Sequence, residues 1–251
     1  MKLTRVDSLR IAELLSPFLR SPPEPPAALN GAQLEQVSAY LDLLLRWNAR
    51  INLTAVRDPE SIVTRHFGES FFAARQLLIR SQESGVGSQG GRRQEAGAGS
   101  QESGASSQEP GVRSQGRAID LGSGAGFPGL PLKIFAPGLA LTLIESSQKK
   151  AVFLKEAVRT LALTDIDVFA GRAEDFAAAA DLVTLRAVER YERALGAAAR
   201  LVAPGGRLAL LIGSPQAART PQVLAGFGWQ APVAIPQSSA RVLLVGTKPI
   251  G

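Results

Sequence analysis

Two reactive side chains are scarce in this sequence: its 251 residues include no cysteine and a single histidine, His66. The lack of cysteine excludes disulfide frameworks, thiolate zinc sites, iron–sulfur clusters and a cysteine nucleophile. One histidine cannot build a metal site of the histidine-cluster type, so we expect no bound metal.

Long hydrophobic runs are also missing. No apolar stretch approaches the roughly 20 residues that a membrane-spanning helix needs. Charged residues interrupt positions 1–20, so this stretch lacks the apolar centre of a signal peptide. We therefore expect a cytoplasmic protein that has no membrane partner, and we expect it to be a monomer.

The overall composition is that of a folded α/β protein with a mild basic excess. Hydrophobic residues make up 45% of the chain, which is enough to bury the core of one α/β domain with a smaller appendage. The net charge is +6 at neutral pH. This excess permits an RNA partner but does not demonstrate one.

One segment, residues 81–117, differs from its surroundings. The sequence Ser-Gln-Glu-Ser-Gly occurs at 81–85 and again at 100–104, and two valines are the only larger apolar residues. Such a segment buries too little apolar surface to offset the entropy of ordering it. We expect a flexible linker at 81–117, which separates an N-terminal helical module (1–80) from a second domain (118–251).

Hydrophobic periodicity predicts three helices before this segment, at 6–19, 32–47 and 59–80, the last with Asp58 as its N-cap. After it, strands alternate with helices. The predicted strands are 117–122, 139–145, 166–171, 181–187, 206–213, 229–235 and 240–248, and the predicted helices are 129–136, 147–163, 189–203 and 215–225. Crossover helices require a mostly parallel sheet, whereas the short last connection makes the seventh strand antiparallel.

A glycine-rich turn follows the first predicted strand. Gly124, Gly126 and Gly129 satisfy the pattern Gly-x-Gly-x-x-Gly at the start of a helix, which suits a dinucleotide or S-adenosylmethionine (AdoMet). Asp120 beside the turn would repel a pyrophosphate but attract the ammonium of AdoMet, directly or through water. We therefore favour AdoMet, with a nicotinamide-dependent oxidoreductase as the alternative.

Polar residues at the ends of the next strands are further candidates, because ligands of such sheets bind outside the carboxyl ends of the strands. Glu145 can accept both ribose hydroxyls, and Ser146 and Ser147 follow it. Ala173 and Glu174 lie where an adenine base would sit. Arg186 ends the fourth strand, and the Asn/Asp-Pro-Pro-aromatic element typical of exocyclic-amine methyltransferases is missing there.

Six motifs together resemble one family. They lie at 47–54 (Trp-Asn-Ala-Arg-Ile-Asn-Leu-Thr), 65–67 (Arg-His-Phe), 120–131, 143–146 (Leu-Ile-Glu-Ser), 171–174 (Gly-Arg-Ala-Glu) and 185–187 (Leu-Arg-Ala). Their order is similar to that in the bacterial small-subunit ribosomal RNA guanine-N7 methyltransferases, the glucose-inhibited-division protein B family. The resemblance covers residues 30–248 apart from 81–117.

The resemblance implies a class I, Rossmann-like methyltransferase fold, AdoMet as donor, and one guanine in the 530-loop region of 16S rRNA, in the small ribosomal subunit or its precursor, as acceptor. The implied cofactor positions are Gly122, Phe127, Glu145, Ser146, Ser147, Ala173, Glu174 and Arg186. One departure is Gly68-Glu69, where the family has a Leu-Asp pair.

Guanine N7 is a methyl acceptor that suits a protein with no cysteine and a single histidine. Its lone pair is already nucleophilic and carries no proton, so methyl transfer requires alignment rather than a general base. Arg65, His66, Lys150 and Arg186 are the candidates for holding phosphates or the guanine edge. A small-molecule methyltransferase and a noncatalytic RNA-binding protein remain further alternatives.

Overall fold

The computed structural model describes residues 6–20, 27–79, 116–186 and 191–251. It begins with helices α1 (Ser8–Leu19), α2 (Gly31–Asn48) and α3 (Pro59–Ile62), followed by a π-helix (Val63–Gly68) and α4 (Glu69–Leu78). Each of the first three helices starts at a side-chain cap, provided by Asp7, Asn30 and Asp58. The predicted helix at 59–80 is therefore confirmed in outline, but a π-helical turn interrupts it.

Eight strands form one sheet: β1 (Arg117–Leu121), β2 (Ala140–Ile144), β3 (Ile166–Phe169), β4 (Ala180–Arg186), β5 (Val202–Gly213), β6 (Gly228–Trp229), β7 (Val233–Ala234) and β8 (Arg241–Thr247). The order is β3-β2-β1-β4-β5-β8-β6, with β7 also paired to β8. Strands β1 to β5 are parallel, and β8 runs antiparallel to β5. The predicted mostly parallel sheet with a reversed last strand is confirmed.

The sheet differs from the sequence prediction at one edge. The predicted strand 229–235 is two short strands, β6 and β7, which both pair with β8. Pro232 lies between them and has no backbone N–H to donate to a neighbouring strand. The sheet therefore has eight strands rather than seven.

Helices α5 (Gly129–Phe135), α6 (Gln148–Thr160), α7 (Tyr191–Leu201) and α8 (Ser214–Val223) cover the sheet. Alternate residues of β1 point to opposite faces, because Ala118 packs in one core cluster and Ile119 in the other. The first cluster joins one face of the sheet to α1, α2, α4, α5 and α6, so the N-terminal helices share a core with the sheet. The second cluster contains residues of α7 and α8.

This arrangement positions the functional site. Strand β1 lies between β2 and β4 in the sheet. Because the three strands are parallel, the loops that follow them meet at the carboxyl ends of adjacent strands. Within the described ranges no helix is long and apolar enough to cross a membrane. The predicted linker falls almost entirely at residues 80–115, outside the described residues, and so do residues 187–190 at the start of the predicted helix 189–203.

Candidate active site

A cavity of about 660 Å³ opens at the carboxyl ends of the parallel strands. One side, which we call the sheet side, comes from the loops after β1, β2 and β3 and includes Gly122, Gly124, Phe127, Glu145, Ser146, Ser147, Ala173 and Glu174. The opposite side, the helix side, consists of Thr54, Arg65, His66 and Glu69 together with Arg186 and Arg241. Lys150, from the first turn of α6, also lines the cavity. Of the sequence-predicted site residues, only Asp120 does not line it.

The glycine turn of the sheet side is formed by backbone conformations that glycine adopts easily. Gly122, Gly124 and Gly126 have φ angles of 69°, 55° and 85°. A Cβ on Gly126 would also lie 2.6 Å from Leu130 Cδ1. From the N-terminal module, the Tyr40 hydroxyl donates a hydrogen bond to the Ala125 carbonyl, so α2 supports the turn from behind.

Glu145 links the glycine turn to the loop after β2. Its Oε2 accepts a hydrogen bond from Gly124 N at 2.8 Å, and its Oε1 accepts one from Ser147 N at 2.7 Å. The residue is 6% exposed and lines the cavity. Because each carboxylate oxygen has two lone pairs, both oxygens keep an acceptor position after these bonds form. The site can therefore accept two hydroxyl protons from a ribose.

Asp120 lies beneath the turn rather than in the cavity. It is fully buried, and its carboxylate accepts hydrogen bonds from Thr184 Oγ1 at 2.7 Å and from Gly129 N at 3.3 Å. Burial raises the pKa of Asp120 to about 6, against the hydrogen bonds that lower it. The side chain fastens β1 to β4 and to the start of α5, which speaks against a direct contact with an ammonium group, whereas the expected contact through water stays a prediction.

The loop after β3 closes the sheet side. Ala173 is buried, and its carbonyl accepts hydrogen bonds from the Arg200 guanidinium and from Phe176 N. Glu174 is exposed and forms an ion pair with Arg193 at 2.8 Å. These contacts hold a short 3₁₀ helix, Ala173–Asp175, at the edge of the cavity.

Phe127 connects the two sides. Its ring stacks on Tyr40 with centroids 5.3 Å apart and packs against His66 at 5.1 Å. The Arg186 guanidinium carbon lies 6.0 Å from the ring centroid. A residue of the glycine turn thus contacts both the N-terminal helices and the arginine of β4.

Arg186 organises the helix side. Its Nη2 donates to the Arg65 carbonyl at 2.7 Å and to Glu69 Oε2 at 2.9 Å, and it lies 3.0 Å from His66 Nδ1. Arg241 at the start of β8 places its Nε 2.9 Å from the same Glu69 oxygen. Burial lowers the pKa of Arg186, while Glu69 opposes that shift. One buried carboxylate therefore holds two arginines from distant strands.

Glu69 and Arg241 are the residues of this cluster that the sequence analysis missed. Arg241 carries no motif signal. Glu69 has a sequence signal, because it belongs to the Gly68-Glu69 pair, which stands where the family that the sequence resembles has a Leu-Asp pair. A Cβ on Gly68 would lie 2.6 Å from the Phe18 ring, so glycine there lets α1 pack closely against the π-helix. The departure thus bears on the packing of the helix side, whereas Glu69 keeps the negative charge that an Asp would carry there.

His66 is held neutral. Burial, reinforced by the charges of Arg186, Arg65 and Arg241, lowers its pKa to about 3. Its Nε2 lies 2.7 Å from Thr54 Oγ1. The loop that carries Thr54 is fixed by the Asn48 side chain, which hydrogen-bonds the backbone of Leu53 and Thr54.

The donor set fits AdoMet. A carboxylate for the ribose diol, a turn with little side-chain bulk, and two serines lie together on the sheet side. The helix side adds cations and hydrogen-bond donors that suit a carboxylate, a phosphate or a base edge. Groups of acidic and histidine side chains that could hold a metal ion are absent from the described parts of the chain.

Comparison with known proteins shows that the sequence is similar to one protein family. A model described as rRNA small subunit methyltransferase G (GidB) matches residues 33–91 and 107–223. The chain is 38% identical over 203 residues to the ribosomal RNA small subunit methyltransferase G of Xanthomonas campestris pv. campestris strain B100, covering 76% of this chain and 79% of that protein. It is 35% identical over 170 residues to the protein of the same description from Streptococcus sanguinis, covering 65% and 58%.

Among solved structures, a SAM dependent methyltransferase from Aquifex aeolicus aligns with a TM-score of 0.45 at 16% identity, covering 53% of this chain and 81% of that one. The family assignment rests on the sequence matches, which include the glycine turn, Glu145 and Arg186. The chain belongs to the rRNA small subunit methyltransferase G family.

Proposed function

We propose that this protein transfers a methyl group from AdoMet to N7 of one guanine in the 530-loop region of 16S rRNA. Membership of the family supports the coarser part, methylation of small-subunit rRNA. The choice of N7 rests on the site itself. We propose that Arg65, His66, Lys150 and Arg186 hold the guanine edge or the neighbouring phosphates.

The sheet side suits the cofactor. Glu145 would accept the ribose hydroxyls with the lone pairs left free by Gly124 N and Ser147 N. Gly122, Gly124 and Ser146 would border the rest of the nucleoside and the amino acid tail, and the loop at Ala173 and Glu174 would border the adenine. We assign Asp120 to support of the turn, because it lies beneath the cavity rather than in it.

Among the described residues of the helix side no side chain is available as a base, and this carries the proposal: the Glu69 carboxylate is paired with Arg186 and Arg241. His66 has a pKa of about 3, and its ring nitrogens already face Arg186 and Thr54. When bound, AdoMet supplies a methyl on a sulfonium sulfur, which keeps the C–S electron pair as the guanine N7 lone pair forms the new N–C bond. No proton moves in that transfer, whereas methylation of an exocyclic amine or of N1 requires a proton acceptor. The site therefore suits N7.

We propose three further properties. The substrate is the small ribosomal subunit or its precursor, the protein acts as a monomer, and it works in the cytoplasm.

We also propose a division into two parts. Residues 1–80 form a module that supplies the helix side of the cavity, residues 118–251 form the AdoMet-binding domain, and residues 81–117 connect them. The Glu69 contacts with Arg186 and Arg241 support a division of labour in which the module completes the site.

The test is methylation of small subunits that lack the modification, followed by mass spectrometry of the nucleosides. We expect 7-methylguanosine at one position, and we expect 7-deazaguanine at that position to abolish methylation while RNA binding is retained. A product methylated at N1 or N2 would contradict the mechanism. Binding of a nicotinamide cofactor in place of AdoMet, or AdoMet binding without any RNA methylation, would favour the alternatives.

A further inference from the structure

The hydrogen bonds of Thr54 leave one polar atom available to a ligand. Its Oγ1 accepts the N–H of Val56 at 3.1 Å and lies 2.7 Å from Nε2 of His66. A hydroxyl has two acceptor lone pairs and one donor proton. If His66 donates, both lone pairs are occupied, and the Thr54 proton is what remains for a molecule in the cavity.

Arg186 decides which nitrogen of His66 carries the proton. A guanidinium group has donors only, so the 3.0 Å distance from Arg186 Nη2 to His66 Nδ1 favours Nδ1 as an acceptor, whereas a proton on Nδ1 would have to be donated to the Arg65 carbonyl. The two protons of Nη2 face three acceptors, which also include the Arg65 carbonyl and Glu69, so one of these bonds is shared. With Nδ1 as the acceptor, a neutral ring would carry its single proton on Nε2 and donate it to Thr54. The cluster on the helix side thereby fixes Thr54 as a donor.

The position of Thr54 is rigid. Asn48, which is 5% exposed, donates from Nδ2 to the Thr54 carbonyl at 3.0 Å and accepts at Oδ1 from the backbone of Leu53 and Thr54 at 2.9 and 3.0 Å. Across residues 6–20, 27–79, 116–186 and 191–251, the Thr54 hydroxyl proton has no further acceptor once His66 donates to it. Thr54 lines the cavity on the helix side, which we assign to the acceptor base.

The two purines differ in what they offer to such a donor. Beside N7, guanine carries the O6 acceptor, whereas adenine carries the N6 amino donor. We propose that the Thr54 hydroxyl selects guanine by donating a hydrogen bond to O6, which leaves the adjacent N7 free for methylation. The same hydroxyl would oppose the amino group of adenine. This inference rests on the proposed function, because it requires guanine N7 as the methyl acceptor.

A two-by-two experiment tests the pairing of hydroxyl and O6. Small subunits are reconstituted with guanine or with 2-aminopurine, which keeps N7 but lacks O6, at the target position. The wild type should methylate 2-aminopurine with a kcat/KM about tenfold lower, the scale of one hydrogen bond. Thr54→Val should lose about tenfold on guanine and show no preference between the two bases. Thr54→Ser, which keeps the hydroxyl, should retain the preference.

The tautomer can be read independently of activity. Because His66 is the only histidine in the chain, one set of imidazole ¹⁵N resonances reports it without assignment ambiguity. We expect a neutral ring protonated on Nε2 at pH 7. A ring protonated on Nδ1 would make Thr54 the donor to His66 and would overturn the inference.

The outcomes separate the two proposals. If the wild type forms 7-methylguanosine but Thr54→Val keeps the tenfold preference for guanine, the role of Thr54 is wrong and the proposed function stands. If Thr54→Val weakens AdoMet binding in calorimetry instead, the hydroxyl contacts the cofactor and the inference also fails. If the wild type forms no 7-methylguanosine on guanine, both proposals fail together.

Discussion

The two sides of the cavity are built in different ways. On the sheet side, the key bond joins Gly124 N to Glu145, which are 21 residues apart and belong to consecutive β-loop units. On the helix side, the key bond joins Arg186 to Glu69 across 117 residues and needs the N-terminal helices to pack on the sheet. One side is backbone N–H groups around a single carboxylate, and the other is an array of charged side chains. The difference implies that the Glu145 bonds of the sheet side form between neighbouring β-loop units, whereas the ion pairs of the helix side form only when the N-terminal helices have packed on the sheet.

The largest effect should come from the buried ion pair of the helix side. The side chains of Arg186 and Glu69 are 9% and 5% exposed, whereas those of Arg193 and Glu174 are 57% and 47% exposed. Arg186→Leu leaves Glu69 with Arg241 alone and should lower the free energy of unfolding by about 3 to 5 kcal/mol. Arg193→Ala should cost about 1 kcal/mol or less. Denaturant unfolding measures both, and equal losses would contradict the contrast between the two pairs.

The glycine turn should respond according to what surrounds each glycine. Gly126 has a positive φ, and a Cβ there would press on Leu130 and Tyr40; Gly124 also has a positive φ but its Cβ would meet nothing closer than 3.7 Å. We expect Gly126→Ala to cost about 2 to 4 kcal/mol of unfolding free energy and Gly124→Ala about 1 kcal/mol. If the two variants lose the same stability, contact with the N-terminal helices does not constrain the turn.

Glu145 tests whether the sheet side alone sets cofactor affinity. Glu145→Ala removes the acceptor for a ribose diol and should weaken AdoMet binding by about 1.5 to 3 kcal/mol, the scale of a hydrogen bond to a charged group. Glu35→Ala, which removes an exposed carboxylate on α2 that does not line the cavity, is the matched control and should change affinity by less than about threefold. Calorimetry with AdoMet decides, and an unchanged affinity for Glu145→Ala would move the diol elsewhere in the cavity.

The contrast between the sheet side and the helix side also explains which site residues could be predicted from the sequence. The glycine turn, Glu145 and Ser147 lie at predictable points of a strand–turn–helix pattern, so local reading placed them in the cavity. Asp120 has the same local signal, yet alternation along β1 turns its side chain to the face covered by α5, where it bonds Thr184 and Gly129. A local pattern gives the position along a strand, but the packing of the neighbouring elements decides whether that face meets the ligand.

Only some residues of the helix side could be identified from the sequence. Arg65 and His66 came from a motif and Arg186 from its strand end, but their relation to Glu69 and Arg241 depends on four separate elements meeting, the π-helix, α4, β4 and β8. The π-helix is also invisible in the sequence, because its apolar spacing matches an α-helix over so short a stretch. Pairings between distant charged residues leave no periodic signal, so this half of the site required the structure.

Two groups, the fully buried Asp120 and the partly buried His66, have pKa values that burial shifts in opposite directions. Burial raises the pKa of Asp120 to about 6 and lowers the pKa of His66 to about 3. Asp120 gives its full contribution to stability below pH 3.8, its ordinary pKa, and loses it as the pH rises through 6, because the folded protein holds the proton longer than the unfolded chain. His66 gives its full contribution above pH 6.5, its ordinary pKa, and loses it as the pH falls through 3.

Between pH 4 and 6 these two contributions oppose each other in the wild type, and a variant that lacks one group should expose the other. For each group that titrates in only one state, the free energy of unfolding changes by about 1.4 kcal/mol per pH unit. Relative to the wild type, Asp120→Asn should therefore gain stability with rising pH by about that slope, and His66→Gln should lose stability by a similar slope. Urea unfolding at half-unit pH steps measures both differences. If both variants parallel the wild type across this range, neither side of the cavity holds its buried group in the protonation state that its burial implies.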